Sequence, residues 1–144
     1  MKLRHWIMGA ALCACAPLMA HEYYGKSLKV IHPWALPTEA GATSAAVYVR
    51  FEEISINDKL VSAHTNLAGR VELHAAREAG AAGAPKQLSA IDLPAGAIVD
   101  MEPGTAHLML VDLKAPLQNQ RSYTLTLNFE KSAPMQVVIS IGAH

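Results

Sequence analysis

The sequence predicts an all-β protein, a single domain folded as an antiparallel β-sandwich, and three observations carry that expectation. Short apolar or alternating runs, several of them rich in β-branched and aromatic residues, recur along the chain and are broken by turn residues. The best-patterned run, "SYTLTLNF" (122–129), sets Leu125, Leu127 and Phe129 against Thr124, Thr126 and Asn128, as a strand with one face on a core does. The stretch "AAREAGAAGA" (75–84) has no strand character, and Gly80 and Gly83 within it argue against a long helix, leaving a loop or a helical turn.

The elements follow in order after a leader. Lys2 and Arg4 precede an uncharged, mostly apolar stretch from Trp6 to Ala20, the pattern of a secretory signal peptide. That stretch is shorter than the roughly 20 residues a spanning helix needs. The division expected is therefore a signal peptide over 1–20 and one domain over 21–144, exported to the periplasm. Cleavage after Ala20, with Leu18 at the −3 position, leaves His21 first. Two alternatives stay open: cleavage after Ala16 leaves a tail beginning with Pro17, and "LCAC" reads as a poor lipoprotein signal, lipidated on Cys15, with Cys13 an odd residue at that place. The strand candidates are then "SLKVIH" (27–32), followed by the Pro-containing "PWALPTEAG", "TSAAVYVRF" (43–51), "KLVSAH" (59–64), "RVELHA" (70–75), "AIVDM" (97–101), "AHLMLVDL" (106–113), "SYTLTLNF" (122–129) and "MQVVISI" (135–141). No internal repeat and no second domain are evident.

Composition narrows the chemistry. The two cysteines, Cys13 and Cys15, both lie in the leader, so a chain cut after Ala20 has no disulfide, thiol nucleophile or thiolate ligand. Its stability must come from packing. Basic and acidic residues balance at 12 each without a basic cluster, which disfavours nucleic acid as a partner. No Ser-His-Asp or paired-carboxylate arrangement stands out, so the chain is not expected to be an enzyme.

The most informative stretch is "TAHLML". Residues two apart in a strand share a face, so His107 and Met109 present an imidazole and a thioether to one site. Nitrogen and soft sulfur together favour copper among metals. In "VELHA" the alternation puts Val71 and Leu73 on one side and Glu72 and His74 on the other, and His74 reaches His107 only through tertiary structure. His32, His64 and His144 read as surface or structural residues.

The succession "RVELHAA", "IDLPAGAIVDMEPGTAHLMLVDLKAPL" and "YTLTLNFEKS", together with "PWALPTEAGATSAAVYVRF", resembles the PCu(A)C-type periplasmic copper chaperones over roughly Leu28 to Ile141. The resemblance implies a cupredoxin-like (Ig-like) sandwich that carries Cu(I) between His and Met side chains. The family's pattern is a first His, often followed by Met, a second Met about a dozen residues on, and H-x-M some twenty residues later. His74, His107 and Met109 match three of these ligand positions. The fourth departs: Pro85 stands where the methionine belongs, Ala75 follows His74, and residues 75–100 hold no Met. Met101 is the nearest substitute and is expected in the core. Two imidazoles and one thioether are a harder set than the family's, which moves affinity toward Cu(II).

The missing donor gives His21 a meaning. A first-residue histidine offers its α-amine and Nδ1 to one ion, and with His74 or His107 it would form a histidine brace. The leading expectation is a copper carrier that delivers its ion to a periplasmic or membrane-bound copper enzyme. The alternatives are a sandwich acting as an assembly module with a decayed site, and a brace-type oxidative copper enzyme.

Overall fold

The computed structural model describes residues 21–77, 80 and 82–142, so the leader expected over 1–20 and His144 lie outside the described residues. Eleven strands make up the regular structure of the described residues. They are β1 (Glu22–Tyr24), β2 (Lys29–Ala35), β3 (Ser44–Glu52), β4 (Asp58–His64), β5 (Ala68–His74), β6 (Gln87–Leu88), β7 (Ile91–Leu93), β8 (Val99–Asp100), β9 (His107–Leu113), β10 (Ser122–Phe129) and β11 (Met135–Ile141). No helix occurs among the described residues.

Hydrogen bonding runs β6-β5-β9-β3-β2-β11-β10-β4-β7, with β1 added to β2 and β8 to β3. β3 joins the two halves of the sandwich: Ser44–Val47 pair with β9, whereas Tyr48–Glu52 pair with β2. All pairings are antiparallel except β2 with β11. The expected sandwich is thus the observed fold. The inner faces carry Val47, Leu73, Leu108 and Leu110 from one half and Val30, Leu60, Leu125, Leu127, Val137 and Ile139 from the other, all in one buried cluster. Phe51 and Phe129 meet edge to face inside it, with centroids 6.2 Å apart.

The sequence pattern explains where strands lie and where they end. β10 alternates as expected, with Leu125 and Leu127 fully buried. β2 differs from expectation, since it continues through Pro33 to Ala35 instead of stopping at His32. A register shift between Ile31 and Trp34 absorbs one extra residue, His32 and Pro33 standing against the single Val49, and His32 takes φ 45° within it. Pro33 is tolerated because a bulge asks no ladder hydrogen bond of it. β1, β6 and β7 went unread because two or three residues are too few to show a period.

A buried carboxylate fastens one end of the sandwich. Asp58, at the start of β4, accepts hydrogen bonds from the backbone of Lys59 (2.8 Å), Lys131 (2.9 Å) and Ser132 (2.9 Å) and from the Ser132 hydroxyl (2.6 Å). It thereby ties β4 to the β10–β11 turn.

Candidate metal centre

The register of β5 on β9 builds the site. His74 lies opposite His107 and Glu72 opposite Met109, while Leu73 and Val71 meet Leu108 and Leu110. Because successive side chains alternate faces, the leucines go to the core and the two histidines, Glu72 and Met109 share the outer face. β3 continues this face on the other side of β9, with Ala46 opposite Met109. Tyr48, two residues along β3, sits 6.3 Å from His107 between ring centroids, and Trp34 of β2 lies 4.7 Å beyond it. Four rings, Trp34, Tyr48, His107 and His74, therefore cross four strands. On the far side β6 pairs with β5, His74 opposite Gln87, and Ala75 donates to the Lys86 carbonyl. Flanked in this way, His74 is only 8% exposed although its face points away from the core.

The ring nitrogens of the pair fall into two classes. His74 Nε2 lies 2.8 Å from Glu72 Oε2. A carboxylate only accepts, so Nε2 holds the proton and Nδ1 the lone pair in the neutral ring. His107 Nδ1 lies 3.3 Å from the Thr105 carbonyl, a long contact that also requires the nitrogen to donate and leaves the lone pair on Nε2. The two remaining nitrogens, His74 Nδ1 and His107 Nε2, are buried without a hydrogen-bond partner. Burial pushes the His107 pKa down; the Thr105 carbonyl opposes this, and the nearby His74 adds to it. His107 is thus a neutral imidazole at pH 7, the form that ligates.

The spacing of the two rings is compatible with their sharing one ion. The rings are 5.3 Å apart and inclined at 68°. With metal–nitrogen bonds of about 2.0 Å and a ring nitrogen about 1.1 Å from its centroid, two imidazoles on one ion have centroids about 5 Å apart at a tetrahedral angle and about 6 Å apart when collinear. The observed spacing lies between the two.

The structure brings together some of the expected ligands and separates others. His74 and His107 adjoin, and half-buried Met109 stands on their face. His21 does not join them: its carbonyl accepts from His32 N–H at 2.8 Å, and β2 and β3 separate it from β9. Among the described residues no group of three or more His, Cys, Asp or Glu side chains is placed to hold an ion. Met101 is 2% exposed in the core, as expected, and cannot serve. Pro85 lies just before β6, on the segment that runs beside His74, and brings no donor there. His64 is exposed at the end of β4.

Glu72 and the ring row were not singled out from the sequence. The signal for Glu72 existed, because "VELHA" places it two residues from His74 on the same face. Tyr48 and Trp34 carried none, since only the strand order brings them near His107.

Comparison with known proteins agrees with this fold. The copper-bound PCuAC domain from PmoF2 superposes with a TM-score of 0.74 at 27% identity, covering 86% of this chain and 99% of that domain. The apo PCuAC domain from PmoF1 gives 0.73 at 28% identity, over 86% and 100%. Apo-DR1885 from Deinococcus radiodurans shares the fold, with a TM-score of 0.62 at 19% identity over 100% of this chain and 97% of that one. In sequence, the "Putative lipoprotein Lxx21020" of Leifsonia xyli subsp. xyli (strain CTCB07) is 27% identical over 139 residues, 94% of this chain and 83% of that protein. The family model "Putative lipoprotein LpqE-like" matches residues 28–141. The chain belongs to this LpqE-like family, a family of the PCu(A)C type with the cupredoxin-like sandwich expected from the sequence.

Proposed function

We propose that this protein is a copper carrier that holds one ion between His74 Nδ1, His107 Nε2 and the Met109 thioether, and passes it to a copper enzyme. The observation that carries the reading is the pair of buried, partnerless nitrogens on adjoining rings. A buried polar atom without a partner is a liability for a fold, and two of them on adjoining rings are accounted for if a ligand supplies the missing partner. The copper-bound relative supports the choice of metal. Two imidazoles with one thioether accept both Cu(I) and Cu(II), and the thioether favours the reduced ion. With three protein donors the ion keeps a position for a ligand from the recipient, so transfer proceeds by ligand exchange. The chain acts as a carrier and not as an enzyme; copper is its cargo.

The naming of the relatives as lipoproteins supports export, and it favours the "LCAC" alternative, in which the chain is lipidated at Cys15 and retained at a periplasmic membrane surface. In that form His21 has no free amine and the brace does not arise. The brace belongs to the chain that begins at His21, with β1 released from β2 to reach the pair. An intact mass of the exported protein separates the two.

The test of the function is copper titration of the domain beside His74→Ala and His107→Ala. The reading expects one ion per chain, lost or sharply weakened in each variant. Unchanged stoichiometry and affinity in both would overturn it, and an intact domain that takes up no copper in either oxidation state would favour an assembly module.

A further inference from the structure

Glu72 touches a candidate ligand and is itself held in place. Its Oε2 meets His74 Nε2 at 2.8 Å, and its Oε1 accepts from Arg70 Nε at 2.8 Å. Arg70 reaches across to β9, where Nη1 donates to Asp112 Oδ2 at 2.8 Å. Arg70, Glu72 and His74 occupy alternate positions of β5, so all three lie on the outer face. The result is a strap, Asp112–Arg70–Glu72–His74, running along the strand that carries the first ligand. Glu72 and His74 are both mostly shielded from water, at 18% and 10% side-chain exposure, so solvent competes poorly for their hydrogen bond.

We propose that Glu72 is a positioning residue: its carboxylate, oriented by Arg70, keeps the His74 proton on Nε2 and fixes the ring so that His74 offers copper its Nδ1. The proposal rests on His74 being a copper ligand, as inferred above. In a free histidine the proton moves between the two nitrogens, and only the unprotonated one can bind a metal. With Glu72 in place, ligation through Nε2 would require breaking the carboxylate bond and rotating the ring out of a shielded position. His107 is set the opposite way, by the Thr105 carbonyl on its Nδ1. The two rings therefore present different nitrogens to the same ion, which lets neighbours directly opposite on adjacent strands converge on it. A carboxylate behind a ligating imidazole also strengthens the nitrogen as a donor, and removing such a partner typically weakens metal affinity about 10–100-fold.

The test reads the tautomer first and copper second. Two-bond 1H–15N spectra of the copper-free domain at pH 7.5 should show His74 with a protonated Nε2 and an unprotonated Nδ1, and His107 with the reverse. Glu72→Ala should convert His74 to a mixture of tautomers and weaken copper binding about 10–100-fold at unchanged stoichiometry, with the His107 signals and the amide spectrum intact. Glu72→Gln keeps the size of the side chain but has one acceptor oxygen, which Arg70 Nε–H claims, so its NH2 faces His74 and should move the ring proton to Nδ1 and weaken copper binding as Glu72→Ala does. A wild-type His74 protonated on Nδ1 overturns the proposal, as does a Glu72→Ala protein with unchanged tautomer and affinity. If Glu72→Ala disturbs the amide spectrum, the Glu72→Gln protein decides, since a wild-type tautomer and affinity retained in that folded chain overturn it equally. Should the wild-type domain bind no copper while His74 shows the stated tautomer, it is the copper reading that fails.

Discussion

Replacing Asp58 tests whether the fold is held as described, independently of the metal. Its carboxylate is 4% exposed and accepts four hydrogen bonds, two on each oxygen, from Lys59, Lys131 and Ser132. Hydrogen bonds to a charged group contribute about 1.5–3 kcal/mol each, and an orphaned donor costs about 1–3 kcal/mol. Lys131 is exposed and Ser132 partly so, and their donors can turn to water, which places Asp58→Ala near the low end of the sum, at about 3–4 kcal/mol. For a domain of this size the melting temperature should fall by about 10–15 °C. The pH dependence has a definite sign. Burial raises the Asp58 pKa, but the bonds from Ser132, Lys59 and Lys131 outweigh it, and the folded value lies below the ordinary one. A depressed carboxylate stabilises above the unfolded pKa of about 3.9 and loses that contribution as pH falls through the folded value. Thermal unfolding followed by circular dichroism should therefore show a wide gap between wild type and Asp58→Ala at pH 7 that narrows steadily below about pH 4. A gap under about 2 °C at pH 7, or one that does not narrow in acid, would refute the assignment. Copper affinity of the folded variant should match wild type, because the hydrogen bonds of Asp58 run to β4 and the β10–β11 turn, away from the two histidines.

The remaining expectations concern the site and its support. Met109→Leu keeps the volume and removes the sulfur, so Cu(I) affinity should drop about tenfold or more while Cu(II) affinity changes little, measured by competition with chelators of each ion. Leu108→Ala, at the fully buried position between the two site residues of β9, should destabilise by about 2–5 kcal/mol in denaturant unfolding without changing the copper stoichiometry. His107, depressed chiefly by burial, should titrate below the free imidazole value of about 6.5 in an NMR titration, so its proton ceases to compete with copper above that pH. An α-amine ligand at His21 would instead make copper affinity climb through about pH 7.7–8.0, and no such climb is expected of the imidazole–thioether set.

Long alternating runs made most of the fold legible. "SYTLTLNF" and "MQVVISI" became β10 and β11 at the bounds read from their pattern, and "AHLMLVDL" became β9 within one residue. What escaped was local exception and long-range pairing. A strand that passes through Pro33 on a bulge breaks the period that announces strands. At the site, the i, i+2 spacing marked His107 with Met109 and Glu72 with His74, but only the β5–β9 register sets the two pairs opposite each other. Protonation states lay beyond any sequence pattern, since they follow from the 2.8 Å contact at Glu72 and the 3.3 Å contact at Thr105. His21 shows the converse limit. Its chemistry was suggestive, yet its strand pairs with β2 beside His32, on the far side of β3 from β9.

X-ray absorption at the copper edge of the Cu(I)-loaded domain reads the donor atoms themselves. The account expects a first shell of two imidazole nitrogens and one thioether sulfur, with the sulfur lost in Met109→Leu and the imidazole scattering reduced in His74→Ala. A shell without sulfur, or one that His74→Ala and His107→Ala leave unaltered, would contradict it.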